Sequence, residues 1–421
     1  MDPKLTSIII FVSAYFIFIV FPKHKMPAAL IAAAILILTR TLSPIDAFWA
    51  VNWNVLGIFI GTFFVASTFM ESFVPAYIAE VIVQRSSNTA WAMLLICAMT
   101  GAISAFVDNV STVLIVAPIA LSLAKKLKTS PVAMMIGIAI SSNLQGTATL
   151  IGDPPSMMLG GYTGMNFFDF FFYHGRPSIF FAVELGAIAS LFILYLFFKH
   201  MKQKVATKPS EKITSMVPTY ILLALIMTLA AASVFPLGKQ FSGLICITYG
   251  VMALLWKGLK YKSPIVRMVA SFDLETSLFL SCVFILVGSL TKTGWVNIAS
   301  GFISHLIGSN IFIGYTTIVF ISVFLSAFID NIPYLATMLP IVSSIALNLN
   351  INPSLFLFGL LIGSCLGGNI TPIGASANIV AWNILKREGY HMRFMDFVKI
   401  GLPFTIAAVI PAYLFIWVIW K

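Results

Sequence analysis

Two stretches of this chain, 222 positions apart, carry the same motifs in the same order and hold its only deeply placed acids. Phe106-Val107-Asp108-Asn109-Val110, with Pro118 beyond it, returns as Phe328-Ile329-Asp330-Asn331-Ile332 with Pro340. Thr149-Leu150-Ile151-Gly152 returns as Thr371-Pro372-Ile373-Gly374, and Gly137 and Gly146 return as Gly359 and Gly368. The register needs no gap between about Asn52 and Ser156. Duplicated halves, each with an acid and a Gly/Pro-broken helix, are the pattern expected of a secondary transporter if the chain lies in a membrane.

Composition supplies that condition. Hydrophobic residues make up 60% of the chain and charged residues 9%, against about 25% charged in soluble proteins. Many apolar runs reach the roughly 17–25 residues that cross a bilayer, so the lipid bilayer is the first partner expected. The net charge of +11 resides in short loops between apolar runs, as topology signals do, and no nucleic-acid partner is expected. Cys97, Cys246, Cys282 and Cys365 stand singly in apolar segments, without disulfide or metal-ligand spacing. They read as small hydrophobes, with a thiolate site for a metalloid as the alternative. Leu5–Phe21 runs without a small-residue cleavage site into Lys23-His24-Lys25, so no cleavable signal peptide is expected.

The sequence predicts an all-α polytopic membrane protein of two inverted-topology repeats. Spans are expected near 5–21, 27–42, 53–70, 131–165 and 177–198, then 217–235, 240–256, 274–291, 353–385 and 401–420. Segments 90–124 and 311–347 are interrupted by the Asp-Asn pairs and are expected as re-entrant helical hairpins, tolerated at membrane depth where they line a cavity. The first repeat is then residues 1–198, with scaffold helices in 1–85, and the second is 216–421. Residues 199–215 form a basic linker. Five spans per half invert the second half. With both termini outside the cell membrane, 19 of the 25 Lys and Arg fall inside and six (Lys4, Arg40, Arg176, Lys239, Lys292, Lys421) outside. Gly57-x3-Gly61 and Gly359-x3-Gly363-x3-Gly367 read as close helix packing.

An ionised Asp at the bilayer centre costs about 2.5–3.5 kcal/mol even on the lenient insertion scale, so Asp108 and Asp330 need partners or water. They read as cation or proton sites; helix capping is the alternative, and the two roles are compatible. Ser141–Thr149 leading into Gly152-Asp153-Pro154-Pro155, and Gly367–Pro372 leading into Gly374–Asn378, must unwind their helices. The freed carbonyls suit a cation, and the new helix N-termini suit an anion or polar solute. Asp153 is met by Ala375 in the repeat, and reads as an asymmetric coupling acid or as a cap. Glu71, Asp273 and Glu275 fall at span ends and read as interfacial. No Lys or Arg falls in a hairpin tip or helix break, which opposes a multiply charged anion. There is no nucleotide-binding motif, so ATP could act only through a separate ATPase subunit. No Ser/His or metal-ligand spacing points to an enzyme.

At these residues the chain resembles the ion transporter superfamily over nearly its full length. Phe106–Pro118 looks like its hairpin-tip motif. Ser142–Ser156 looks like its broken-helix motif, in the Gly-Asp-Pro-Pro form of the arsenite permease, melanosomal P protein and NhaD-type antiporter branches. Trp53-Asn54-Val55-Leu56 and Asp273-Leu274-Glu275-Thr276 resemble the segment that opens the third span there. The sodium-coupled dicarboxylate branch has Ser-Asn-Thr where this chain has Asp-Asn. The resemblance implies a scaffold domain, a mobile transport domain with elevator-like motion, and a homodimer. It implies ion-coupling sites at Asp108, Asn109, Ser111, Thr112, Asp330 and Asn331, with Na⁺ at the two Asp-Asn pairs. It implies solute contacts at Asn143, Gly146, Thr147, Thr149, Gly152 and Asp153, and at Gly368, Asn369, Thr371, Gly374 and Asn378. No cofactor is expected beyond transported or coupling Na⁺ or H⁺. The expected function is ion-coupled alternating-access transport of a small inorganic solute, an ion or a metalloid, as an antiporter. The alternatives are a Na⁺-coupled symporter of a small anion such as a dicarboxylate or sulfate, and a passive ion channel.

Overall fold

The computed structural model describes residues 2–127, 129–203, 212–235, 238–261, 272–308 and 310–421. Lys128, Lys204, Lys208, Lys262 and Arg267, counted among the inside charges, lie outside the described residues, as does the Lys239 side chain. Apart from one antiparallel pair of two-residue strands and two short 3-10 turns, the described regular structure is helical.

The first half opens with α1 (Pro3–Val20), α2 (Lys25–Leu38), α3 (Pro44–Ala50), α4 (Trp53–Glu71) and α5 (Val74–Arg85). Next come α6 (Thr89–Ser104) and α7 (Asn109–Leu127), the arms of the first hairpin. The first broken helix is α8 (Val132–Gly146) and α9 (Pro154–Thr163), and α10 (Ile179–Phe198) closes the half. The second half begins with α11 (Val217–Ala232), α12 (Gly238–Tyr261), α13 (Leu274–Lys292) and α14 (Trp295–Ile307). Its hairpin is α15 (Ile311–Ser326) and α16 (Asn331–Asn348), its broken helix α17 (Pro353–Gly367) and α18 (Ser376–Arg387), and α19 (Phe394–Trp420) ends it.

Local chemistry sets these boundaries at matching places. Asn88 and Asn310 each accept the backbone N–H three residues on, at 3.1 Å, capping the first arm of each hairpin. The arms end at Ser104 and Ser326, and the second arms start at Asn109 and Asn331. Breaks occupy 147–153 and 368–375, where Gly and Pro interrupt the helical ladder.

Among the described residues, α1, α4, α7, α10, α12, α13 and α19 are long and apolar enough to cross a membrane. The spans expected near 27–42 and 217–235 are helices of 14 and 16 residues. Large apolar side chains such as Phe16, Ile188, Phe302 and Phe324 stand exposed on the outside, as lipid contact requires. At the centre, α8 and α17 are buried on nearly every face, which is why they read as apolar all round.

Pairs of helices from different halves tie the molecule together: α4 lies along α12, α2 along α13, and α10 along α19. In the first pair the expected close packing is seen, since a Cβ at Gly61 would enter the backbone of Cys246.

Candidate functional site

Both hairpin tips and both helix breaks meet around one cavity of about 330 Å³. Asp108, Asn109, Ser111, Asn143, Asp153, Asp330 and Asn331 line it, as do Ser376 at the start of α18 and Asp273 and Thr276 at the start of α13. Phe59, Phe63 and Leu114 supply an apolar wall. The other expected residues, among them Thr112, Thr149 and Asn369, are buried and do not line it.

The supporting shell is built twice. Ser104 Oγ donates to Asn109 Oδ1 at 2.7 Å, and Ser326 Oγ lies 2.6 Å from Asn331 Oδ1. The Thr149 hydroxyl donates to the Ala105 carbonyl, and the Thr371 hydroxyl to the Ala327 carbonyl. Each bond locks a helix break onto a hairpin tip. Gly146 has no room for a side chain because the Asn109 amide lies against it, and Gly368 faces Asn331 in the same way. Gly152 and Gly374 then pack on the backbones of Gly146 and Gly368.

Asn143 links the halves. Its Nδ2 donates to the Cys365 carbonyl at 2.9 Å and to Asn369 Oδ1 at 3.0 Å, while its Oδ1 accepts from Asn109 Nδ2 at 3.4 Å. All four cysteines are free and buried, and Cys365 lies beside the site through this carbonyl.

The acids differ in their partners. Asp108 Oδ2 accepts the Ser111 N–H at 2.9 Å, and Thr112 Oγ1 donates to the Asp108 carbonyl. Asp153 caps α9, its Oδ1 accepting the Ser156 N–H at 3.0 Å. Asp153 Oδ2 is buried and, among the described residues, has no hydrogen-bond partner. Asp330 Oδ2 is 2.5 Å from Lys25 Nζ, and its Oδ1 accepts the Ile332 N–H. Capping and an acid facing the cavity therefore coexist at all three positions. Among the described residues no three His, Cys, Asp or Glu side chains are grouped to hold one metal ion, so the acids spread over the wall.

Two readings of the sequence need correction. The absence of Lys and Arg from the tips and breaks does not leave the site without a cation, because Lys25 at the start of α2 reaches the second tip. Local sequence could not show this, since the ammonium arrives from 305 residues away. Asp273 is also more than an interfacial acid, because it stands in the cavity wall. Its signal was its place as N-cap of α13, bonded to Thr276.

A family model described as citrate transporter matches residues 15–347 and 242–421. The chain belongs to the citrate transporter family. Over 98% of both chains it is 28% identical to an uncharacterized transporter of Mycobacterium tuberculosis. Over 90% of its own length and 54% of the other's it is 25% identical to the P protein of Sus scrofa. Its fold matches the crystal structure of the YdaH transporter of Alcanivorax borkumensis, with a TM-score of 0.65, 13% identity and 99% and 98% of the two chains covered. The chain is thus a multi-pass membrane transporter and not an enzyme.

Proposed function

We propose that this transporter moves a small inorganic ion or metalloid by alternating access coupled to Na⁺ or H⁺, as an antiporter. The observation that carries the reading is the acid-lined cavity where both tips and both breaks meet, with Asp108, Asp153, Asp273 and Asp330 in its wall. Such a wall attracts a monovalent cation or proton and repels a polyvalent anion. The family description alone does not make citrate the cargo, and the acids speak against a trianion entering unaccompanied.

Asp108 and Asp153 bind the coupling ion in this reading. The Asn143 amide and the Ser376 side chain, which stand in the cavity wall, serve the solute. With both termini outside, the ends of α2 and α13 that carry Lys25 and Asp273 lie on the cytoplasmic side. Inversion of the second repeat, a moving transport domain and a homodimer belong to the same proposal.

The test is reconstitution in liposomes with a trapped pH dye, adding Na⁺, Li⁺ or K⁺ outside without other solute. A cation-triggered pH change that disappears in Asp108→Asn supports exchange. Silence in the wild type removes cation/proton exchange. A second reading, cation-coupled uptake of a small carboxylate, is favoured by the family and by Lys25 bonded to a cavity acid. Citrate binding that strengthens with Na⁺ distinguishes it.

A further inference from the structure

The two halves treat their oxygen-rich positions differently. In the first half the acids keep oxygens open. Asp108 is in none of the ion pairs among the described residues, and Asp153, only 2% exposed, has an Oδ2 with no hydrogen-bond partner among them. The Ser156 hydroxyl, at 3.5 and 3.3 Å, makes only long contacts with the freed carbonyls of Gly146 and Thr147.

In the second half the matching oxygens are already taken by nitrogens of the protein, or are missing. Asp330, the counterpart of Asp108, holds the Lys25 ammonium at 2.5 Å. That ammonium also sits 4.9 Å from the centroid of the Phe279 ring, a placement that favours a cation. The counterpart of Asp153 is Ala375. Where the first half has Ser156, the second has Asn378, whose Nδ2 donates to the carbonyls of Gly368 and Thr371 at 2.9 and 3.0 Å. Among the described residues one buried oxygen there lacks a partner, the neutral amide Oδ1 of Asn378. Nearby, Tyr15 of α1 donates to the Pro333 carbonyl at 2.6 Å, in the first turn of α16.

We propose that Lys25 is a resident counter-ion filling the cation position of the second half, so that one exchangeable monovalent cation binds per chain, at Asp108 and Asp153 of the first half. A mobile cation approaching Asp330 meets a carboxylate already neutralised and a tethered positive charge that cannot leave. At Asp153 it meets an open carboxylate oxygen in a site that excludes most of the water. This rests on the cation-coupled reading above and adds where, and how many times, the coupling ion binds.

The test follows the melting temperature of the purified full chain in detergent as Na⁺ or Li⁺ replaces choline, and as pH is varied. Three proteins are compared: wild type, Asp153→Asn, and the double variant Lys25→Met with Asp330→Asn, which removes the pair without leaving an orphan charge. The expected result is a one-site response in the wild type, lost in Asp153→Asn and kept with the same midpoint in the double variant. A two-site response in the wild type overturns the inference, as does a response lost in the double variant and kept in Asp153→Asn. Either result leaves cation coupling standing. A wild type indifferent to every cation and to pH overturns both.

Discussion

The side-chain amide of Asn143 donates to Oδ1 of Asn369 at 3.0 Å, joining the last turn of one broken helix to the break of the other. The same amide holds the Cys365 carbonyl, and its oxygen receives the amide of Asn109 at the first hairpin tip. A tip from one half and breaks from both are therefore held by a single buried side chain.

Removing that side chain should be costly. Asn143→Ala leaves Asn369 Oδ1 and the Cys365 carbonyl buried without their donor, at about 1–3 kcal/mol for an unsatisfied group. We expect a lowered melting temperature in detergent and a loss of transport larger than the loss of folded protein. An unchanged melting temperature would show that the amide bridges are replaceable.

Close packing at the tips makes a second prediction. Gly146→Ala and Gly368→Ala each drive a methyl group towards a tip asparagine, and overpacking of this kind costs about 1–3 kcal/mol. Gly301→Ala is the control. Gly301 lies within α14 and a Cβ there meets nothing within 4 Å, so the change should stabilise by about 0.5–1 kcal/mol through helix propensity. Melting temperatures of the three variants check the contrast.

The pair between Lys25 and Asp330 should show strong coupling. Lys25→Met and Asp330→Asn each strand a charge in a partly covered site, whereas the double variant strands none. A double-mutant cycle on melting or denaturant unfolding should give a coupling of about 0.5–3 kcal/mol. Additive effects would mean that the contact contributes nothing.

Outside the spanning helices, the Lys292 ammonium and then the Ser43 hydroxyl hold the Asp46 carboxyl at about 2, below its ordinary 3.8. A carboxyl depressed by folding stabilises the fold above its unfolded value, and that contribution fades as pH falls through the folded value. The difference in melting temperature between wild type and Asp46→Asn should thus be level from about pH 5 to 8 and shrink only between about pH 4 and 2. A difference that changes near neutrality would contradict the pairing.

Much of this arrangement was legible in the chain. Asp-Asn at a tip and Gly-Asp-Pro-Pro at a break are local devices, because capping, chain reversal and helix unwinding depend on neighbouring residues. Helices start at Asn109, Asn331, Pro154 and Ser376, beside these motifs. The Ser104–Asn109 and Ser326–Asn331 contacts stand at the same 222-residue offset, although neither serine was singled out in the sequence. Lys25 was not legible as a site residue, because the packing of α2 against α13 brings it in, and Asp273 was legible as a helix cap but not as part of the cavity wall. No spacing rule spans that distance. The same holds for Asn143, which matched a motif but whose bond to Asn369 exists only once the halves close.

The most direct measurement is ²²Na⁺ uptake into proteoliposomes against an imposed pH gradient, comparing wild type with Asp108→Asn and Asp153→Asn at matched protein. The account predicts saturable, concentrative uptake in the wild type and loss of more than about tenfold in both variants, the factor that about 1.4 kcal/mol represents. Uptake that persists in either variant, or that never exceeds electrochemical equilibrium, would contradict it.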